Sequence, residues 1–212
     1  MTEPTLSSPD ARTSVGARRS DATEAAVLDA FAELVGEVGY AAVTMEAVAK
    51  RARAGKATVY RWWPTKAHLA LSLISRAKVD IPRPKGISLR DDLISYMAHV
   101  VSMWRGDAGL PVGPLVRHCY AESWSNPELS AALQTERRAR WSMLSDIFQA
   151  AVTRKELPPE TDLARAKDFA MSWPFYLLMT DRMPPPEDIE RMVDETLRGL
   201  MAGSYRRPSP DT

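Results

Sequence analysis

The sequence predicts an all-α protein of about nine helices, with a small basic N-terminal part and a larger helical body. Three observations predict it. Apolar residues recur in steps of three and four along most of the chain, and no stretch shows period-two alternation of useful length. Capping residues and prolines punctuate this pattern at helix-sized intervals. Ile81-Pro82-Arg83-Pro84-Lys85-Gly86 interrupts it as a Pro/Gly linker and marks a boundary. The expected division is an arm over 1–19, a first helical domain over 20–80 and a body over 81–212.

The elements follow in order. Residues 1–19 are rich in Ser, Thr and Pro and read as a disordered arm carrying Arg12, Arg18 and Arg19. A first helix is expected from Ser20 or Asp21, with Asp21 and Glu24 as a capping box. Leu28, Phe31, Val35 and Val38 form its stripe, and Gly39 its stop. Thr44 should cap a short second helix whose inner face is Met45, Val48, Ala49 and Ala52. After a tight break at Gly55, a third short helix runs from about Lys56 to Trp62, ended by Pro64. Thr65 caps a fourth, expected to reach Val79.

Beyond the linker, Ser88 caps a helix with Asp91 and Asp92 in its first turn, where the helix dipole favours acids. Its stripe is Leu89, Leu93, Met97, Val100 and Trp104. A shorter helix is expected from Pro111 to Ser123. Asn126 followed by Pro127 opens a long helix that Leu157-Pro158-Pro159 breaks. Thr161 caps the next, with Pro184-Pro185-Pro186 as its end, and the last runs from about Glu187 to Met201.

Composition narrows the class. The chain has 212 residues, a net charge of +1, 45% hydrophobic and 26% charged residues, ordinary values for a globular protein with its own core. Its single cysteine, Cys119, excludes an internal disulfide framework and a thiolate-rich zinc site. The N-terminus lacks the pattern of a secretory signal, and no apolar run is long enough to span a bilayer. The expected setting is the cytoplasm, with no membrane partner, no metal and no cofactor. The small net charge hides an asymmetry. Residues 44–78 carry eight bases and one acid, Glu46, whereas residues 81–212 carry seventeen bases and eighteen acids. A basic head on a neutral body fits a polyanion partner, and equally a solvated basic face.

The short second and third helices around a tight break have the spacing of a helix-turn-helix, whose second helix enters the major groove of DNA. Lys56 and Arg61 are long cations that reach phosphates or guanine edges, and Thr58 offers both a hydroxyl and a methyl. Tyr60 lies on the outer side, within reach of a phosphate. Thr44 and Lys66 begin flanking helices, whose free N–H groups favour phosphate. Trp62 is expected to face DNA because Trp63 fills the inward slot; packing on the fourth helix is the alternative.

The stretches Ala41-Ala42-Val43-Thr44-Met45-Glu46-Ala47-Val48-Ala49 and Lys56-Ala57-Thr58-Val59-Tyr60-Arg61-Trp62-Trp63-Pro64-Thr65-Lys66 resemble the DNA-binding domain of the tetracycline-repressor (TetR) family of bacterial regulators. The resemblance covers about residues 21–75. It implies a homodimeric, ligand-responsive transcriptional repressor. It also implies DNA contacts at Thr44, Lys56, Ala57, Thr58, Tyr60, Arg61, Trp62 and Lys66, and inward anchors at Ala54, Val59 and Trp63. Two positions depart from the family pattern: Arg53 stands where many relatives have the turn glycine, and Gly55 where they have a Ser or Thr cap. Either Arg53 accepts a positive φ, or the turn shifts to Gly55.

The body is rich in Met and aromatic residues. Met97, Trp104, His118, Cys119, Trp141, Met171 and Trp173 are the candidate lining of a pocket for a small apolar effector, with core packing as the competing reading for each. Pro174, inside a helical pattern, is a candidate kink beside them. The last two helices are apolar on more than one side. Phe169, Tyr176, Leu177, Val193 and Leu197 are therefore candidate residues of a two-fold seam. The reading is a repressor that binds a palindromic operator as a homodimer and is released by its ligand. A helical module whose basic face binds protein or RNA is the alternative. An enzyme is disfavoured, because no His-Glu-x-x-His, Gly-rich phosphate loop or Gly-x-Ser-x-Gly occurs and the three histidines lack ligand spacing.

Overall fold

The computed structural model describes residues 15–77, 83–107 and 109–204, with side chains over 21–138 and 142–202 of those ranges. Among the described residues there are nine α-helices: α1 (Val15–Ala42), α2 (Met45–Arg51), α3 (Lys56–Trp62), α4 (Lys66–Ala77), α5 (Leu89–Arg105), α6 (Gly113–Ser123), α7 (Pro127–Thr153), α8 (Leu163–Met179) and α9 (Ile189–Gly199). They fall into two compact units, Met1–Trp62 and Trp63–Thr212.

The first unit holds α1 to α3. α1 begins at Val15, ahead of the expected Asp21 cap, and residues 1–14, including Arg12, lie outside the described residues, as do the side chains of Arg18 and Arg19. Gly39, at φ 77°, breaks α1 where the stop was expected, and a last turn follows to Ala42. The Thr44 side chain accepts from the Ala47 N–H and caps α2, as its position predicts. Val27, Phe31, Val48 and Val59 are fully buried and form the small core.

The second unit holds α4 to α9. The division at Trp62–Trp63 differs from the expected one at 80/81, because α4 packs against α6 and α7 of the body. Several caps are those the sequence predicts: Ser88 accepts from the Asp91 N–H, and Asn126 from the Leu129 N–H. α8 is capped by Asp162 rather than Thr161; the Asp162 carboxylate accepts from the N–H groups of Ala164 and Arg165, while the Thr161 hydroxyl donates to the Pro158 carbonyl. α8 runs through Pro174 and ends at Met179, earlier than the triple proline, with Asp181 at φ 57° in the turn. The last helix is preceded by a 3-10 turn (Pro186–Asp188) and passes into a π-helical segment (Leu200–Ser204).

A buried polar knot fixes the start of α5. Asp92 is 2% exposed, accepts from the Gly86 N–H at 2.9 Å and faces Arg154. Arg154 in turn pairs with Glu156, which accepts from the Leu89 N–H. The guanidinium holds the Glu156 carboxyl below its usual range.

Two glycines have a physical reason. Gly106 ends α5 in the left-handed conformation, at φ 83°. Gly113 begins α6 so close to α5 that a Cβ there would lie 2.7 Å from the Trp104 carbonyl oxygen. Gly36 in α1 has open space around it. Gly36→Ala is therefore expected to raise stability by about 0.5–1 kcal/mol through helix propensity. Gly113→Ala is expected to lower it by about 1–3 kcal/mol, since the clash outweighs that same gain. Thermal or urea unfolding of the two variants reads the opposite signs.

Candidate nucleic-acid interface and body cavity

Three features set the direction of α3. Val59, its one buried residue, is fully enclosed, so the opposite side of a seven-residue helix must face outward. The backbone turn is tight: Ala54 N–H bonds to the Ala49 carbonyl, and the Gly55 carbonyl accepts from the N–H groups of Thr58 and Val59. Arg53 carries the turn at φ 52°, and Gly55 has no positive φ. Of the two turn geometries open to the sequence, the fold uses the strained arginine.

Lys56, Ala57, Tyr60 and Arg61 are exposed on the outer side of α3, and Thr58 and Trp62 are half-buried. Thr44 is exposed at the start of α2, its hydroxyl oxygen engaged in the cap. Lys66 opens α4 in the second unit, half-buried; desolvation lowers its ammonium pKa, opposed by Glu122. Trp63 is buried there, and its indole N–H donates to Ser72.

The basic stretch is less free than its composition implies. Arg51 is clamped by Glu37 at 2.8 Å and Glu33 at 3.2 Å, joining α2 to α1, and both partners raise its pKa. Exposed Lys50, Arg53, Lys56 and Arg61 remain on the unit's surface.

Sequence reasoning missed Glu46. Its carboxylate accepts from the Tyr60 hydroxyl at 2.8 Å, which lowers the carboxyl pKa and raises that of the phenol. An acid in the first turn of α2, facing a tyrosine of α3, was the signal that could have found it.

In the body, a cavity of about 190 Å³ lies among α5, α6, α7 and α8. Of the expected lining, Trp104 and Met171 are there. Tyr96, Val100, Met103, Tyr120, Arg137, Asp168, Ser172 and Phe175 complete it. Four expected members lie elsewhere. Met97 is buried in the core, one residue out of phase with Tyr96. His118 is exposed, and its pKa is lowered by desolvation and by nearby Lys66 and Arg117. Cys119 is fully buried and its thiol donates to the Ala67 carbonyl at 3.6 Å. Trp173 is 38% exposed and lines a separate hollow with Leu177 and Arg182. The side chain of Trp141 lies outside the described residues.

The expected seam residues divide similarly. Tyr176 is 55% exposed beneath the Arg182 guanidinium, and Leu177 is half-buried. Val193 is fully buried, so it belongs to the core of its own chain and not to a seam. Leu197 is half-buried, and half-buried Phe169 packs where a Cβ on Gly199 would be 2.8 Å from its ring. Trp173, Tyr176 and Met179 form an exposed apolar row along α8. Among the described residues no helix is long and apolar enough to cross a membrane, and no group of three or more His, Cys, Asp or Glu side chains is arranged to hold a metal ion.

A short helix presented outward by a tight turn after a second short helix defines a helix-turn-helix DNA-binding protein. Residues 27–73 match the family model of bacterial regulatory proteins of the tetR family, and residues 84–196 match that of the tetracyclin repressor-like C-terminal domain. The chain belongs to the TetR family of transcriptional regulators, which binds DNA through this motif and is not a family of enzymes. It is 30% identical over 178 residues to Rv1556, an uncharacterized HTH-type transcriptional regulator of Mycobacterium tuberculosis (strain ATCC 25618 / H37Rv), covering 82% of this chain and 85% of that one. It is 27% identical over 187 residues to the HTH-type transcriptional repressor KstR of Rhodococcus jostii (strain RHA1), covering 86% and 84%. The fold is similar to that of the TetR family transcription regulator SCO0332, with a TM-score of 0.70 at 23% identity, over 84% of this chain and 98% of that one.

The turn carries a testable strain. A side chain held at positive φ costs about 1 kcal/mol or more. Arg53→Gly is expected to raise unfolding stability by up to about 1 kcal/mol, net of the entropy glycine returns to the unfolded chain. Equilibrium denaturation checks it, and a loss of stability would contradict the strained turn.

Proposed function

We propose that the protein is a ligand-responsive repressor that binds a palindromic operator as a homodimer and is released by a small, mostly apolar effector. The observation that carries this reading is the combination within one chain of a single reading helix, α3, with a separate helical body that has an apolar-lined cavity and an exposed apolar row on α8. One seven-residue helix reads only one half-site, so operator recognition calls for a second copy. Trp173, Tyr176, Leu177 and Met179 give that copy an apolar surface to cover. The similarity to a relative named as a repressor supports repression over activation.

In this reading Lys56 and Arg61 engage phosphates or guanine edges, Ala57 and Thr58 pack against bases, and Tyr60 and Thr44 bond the backbone. Trp62 and Lys66 flank them. The DNA-binding part extends past the packing boundary at Trp62–Trp63, as the span of its family model, residues 27–73, supports. Such a regulator works where the chromosome is, in the cytoplasm of a bacterium.

Selection of duplexes from a random pool is expected to enrich a two-fold-symmetric site. Its half-sites should lie about 34–36 Å apart or a multiple of that. Affinity should fall roughly a thousandfold between about 50 and 200 mM salt if six or more phosphates are neutralised. Lys56→Ala should weaken binding to all sequences and reduce the salt slope by about one for each phosphate it no longer neutralises, with the dimer intact by sedimentation. A flat salt profile, or enrichment of no symmetric site, would contradict the proposal.

A further inference from the structure

Glu46 is the one acid between residues 44 and 78, a stretch with eight bases. It belongs to the motif that meets DNA, where a negative charge repels phosphate. Its place in the first turn of α2 suits the helix dipole, which accounts for an acid there but not for its partner. That partner is on the facing helix of the motif: the Tyr60 hydroxyl donates to the Glu46 carboxylate at 2.8 Å.

Fixed backbone brings the two groups together. The Thr44 cap on the Ala47 N–H sets the first turn of α2. Val59, next to Tyr60, is fully enclosed and sets the direction of α3. The turn between the helices is closed by the Ala54 N–H on the Ala49 carbonyl. Glu46 is exposed and Tyr60 is 41% exposed, so the bond lies on the surface of the unit that binds DNA. It acts on both groups. The Tyr60 hydroxyl, then the backbone N–H of Glu46 and more weakly Lys56, hold the carboxyl below its usual range; the same bond raises the phenol.

The chemistry of the donor makes this bond exclusive. A phenol has one proton to give, and a phosphate oxygen only accepts. Carboxylate and phosphate cannot both take that proton, and as like charges they repel each other across it. Tyr60 therefore reaches a phosphate only by leaving Glu46.

We propose that Glu46 is a positioning residue that holds Tyr60 back from DNA, so that the Glu46–Tyr60 bond is given up when Tyr60 donates to a phosphate. The inference rests on the backbone contact proposed above for Tyr60. One charge-assisted hydrogen bond is exchanged for another, so Tyr60 adds little net affinity while Glu46 is present. Phosphates are alike at every sequence. The restraint therefore loosens the grip on all duplexes and leaves the choice of sequence to the base-facing side chains of α3.

The test measures binding of the full-length protein to a fluorescently labelled duplex of mixed sequence by anisotropy. The duplex has about 30 base pairs, enough for two half-sites one helical turn apart. The proteins compared are the wild type, Glu46→Ala, Tyr60→Phe and the double variant. Glu46→Ala should tighten binding, and by at least about fivefold more when residue 60 is Tyr than when it is Phe, as one hydrogen bond predicts. Tyr60→Phe alone should change little, and should weaken binding by that same factor once Glu46 is gone. Both side chains are exposed, so neither substitution opens the core. The free protein supplies a second readout. The Tyr60 ring-carbon resonances should titrate at lower pH in Glu46→Ala than in the wild type, because the carboxylate no longer holds the proton. Equal tightening with Tyr and with Phe would mean that Glu46 acts on DNA only as a charge, and would overturn the inference. Unchanged or weaker binding by Glu46→Ala, or an unchanged Tyr60 titration, would overturn it too. In each of these cases a loss of affinity in Tyr60→Phe would leave the backbone contact standing. If Tyr60→Phe weakened binding in neither background, or no protein bound the duplex, that contact would fall and the inference with it.

Discussion

The burial of Val59 is the constraint on which the DNA-reading surface depends. A helix of seven residues makes too few internal hydrogen bonds to persist in water by itself. α3 exists because one side of it completes the small core formed by Val27, Phe31 and Val48. Once Val59 is fixed inward, the 3.6-residue period leaves Lys56, Ala57, Tyr60 and Arg61 no other place than the surface. The same packing demands a turn so short that Arg53 adopts φ 52°. A glycine there would relieve that strain. An arginine there adds an exposed cation to the unit that binds DNA. Strain in the backbone and charge on the surface are thus set against one another at a single residue.

Charge on this unit is organised as well as abundant. Arg51 serves the fold by joining α2 to Glu33 and Glu37 of α1, and these pairs are exposed enough to contribute little each. Glu46 sits among cations, and its bond from Tyr60 fixes the phenol across the two helices of the motif. The Tyr60 hydroxyl has a single proton to donate, and Glu46, its charge also favoured by nearby Lys56, holds it. The orientation of Tyr60 is therefore set by an acid on the neighbouring helix of the motif.

Much of the fold was legible because its signals are local. Asn126-Pro127, Ser88 with Asp91, and Thr44 each specify a helix start through a side chain bonded to its own backbone, and each is found doing so. Where two neighbouring residues both suit a cap, as at Thr161-Asp162, the sequence does not choose; the carboxylate, able to take two N–H groups, holds the position. The identity of the cavity wall was less legible. Met97 and Tyr96 are adjacent, and a change of helix phase of one residue exchanges core for cavity. Arg137 and Asp168 gave no apolar signal at all. Val193 was expected at a seam because the last two helices read as apolar on more than one side, yet α9 has one apolar side, and Val193 on it is buried in the core of its own chain.

Within the body, α6 has two duties that meet in one rigid element. At its first residue Gly113 backs onto the Trp104 carbonyl, and Tyr120, two turns later, lines the cavity edge-to-face with Phe175 at 4.9 Å. On its other side Cys119 bonds the Ala67 carbonyl of α4, and Glu122 accepts from Thr65 just before that helix. Tyr120 and Cys119 are consecutive, so cavity wall and α4 contact are separated by one peptide. A close-packed core repositions its helices as units and does not deform continuously. A compound that displaces Tyr120 must therefore either distort α6 or move it, and moving it carries its Cys119 and Glu122 contacts with α4. Two glycine-sized gaps, at Gly106 and Gly113, are what allow the helix to sit close enough for both duties.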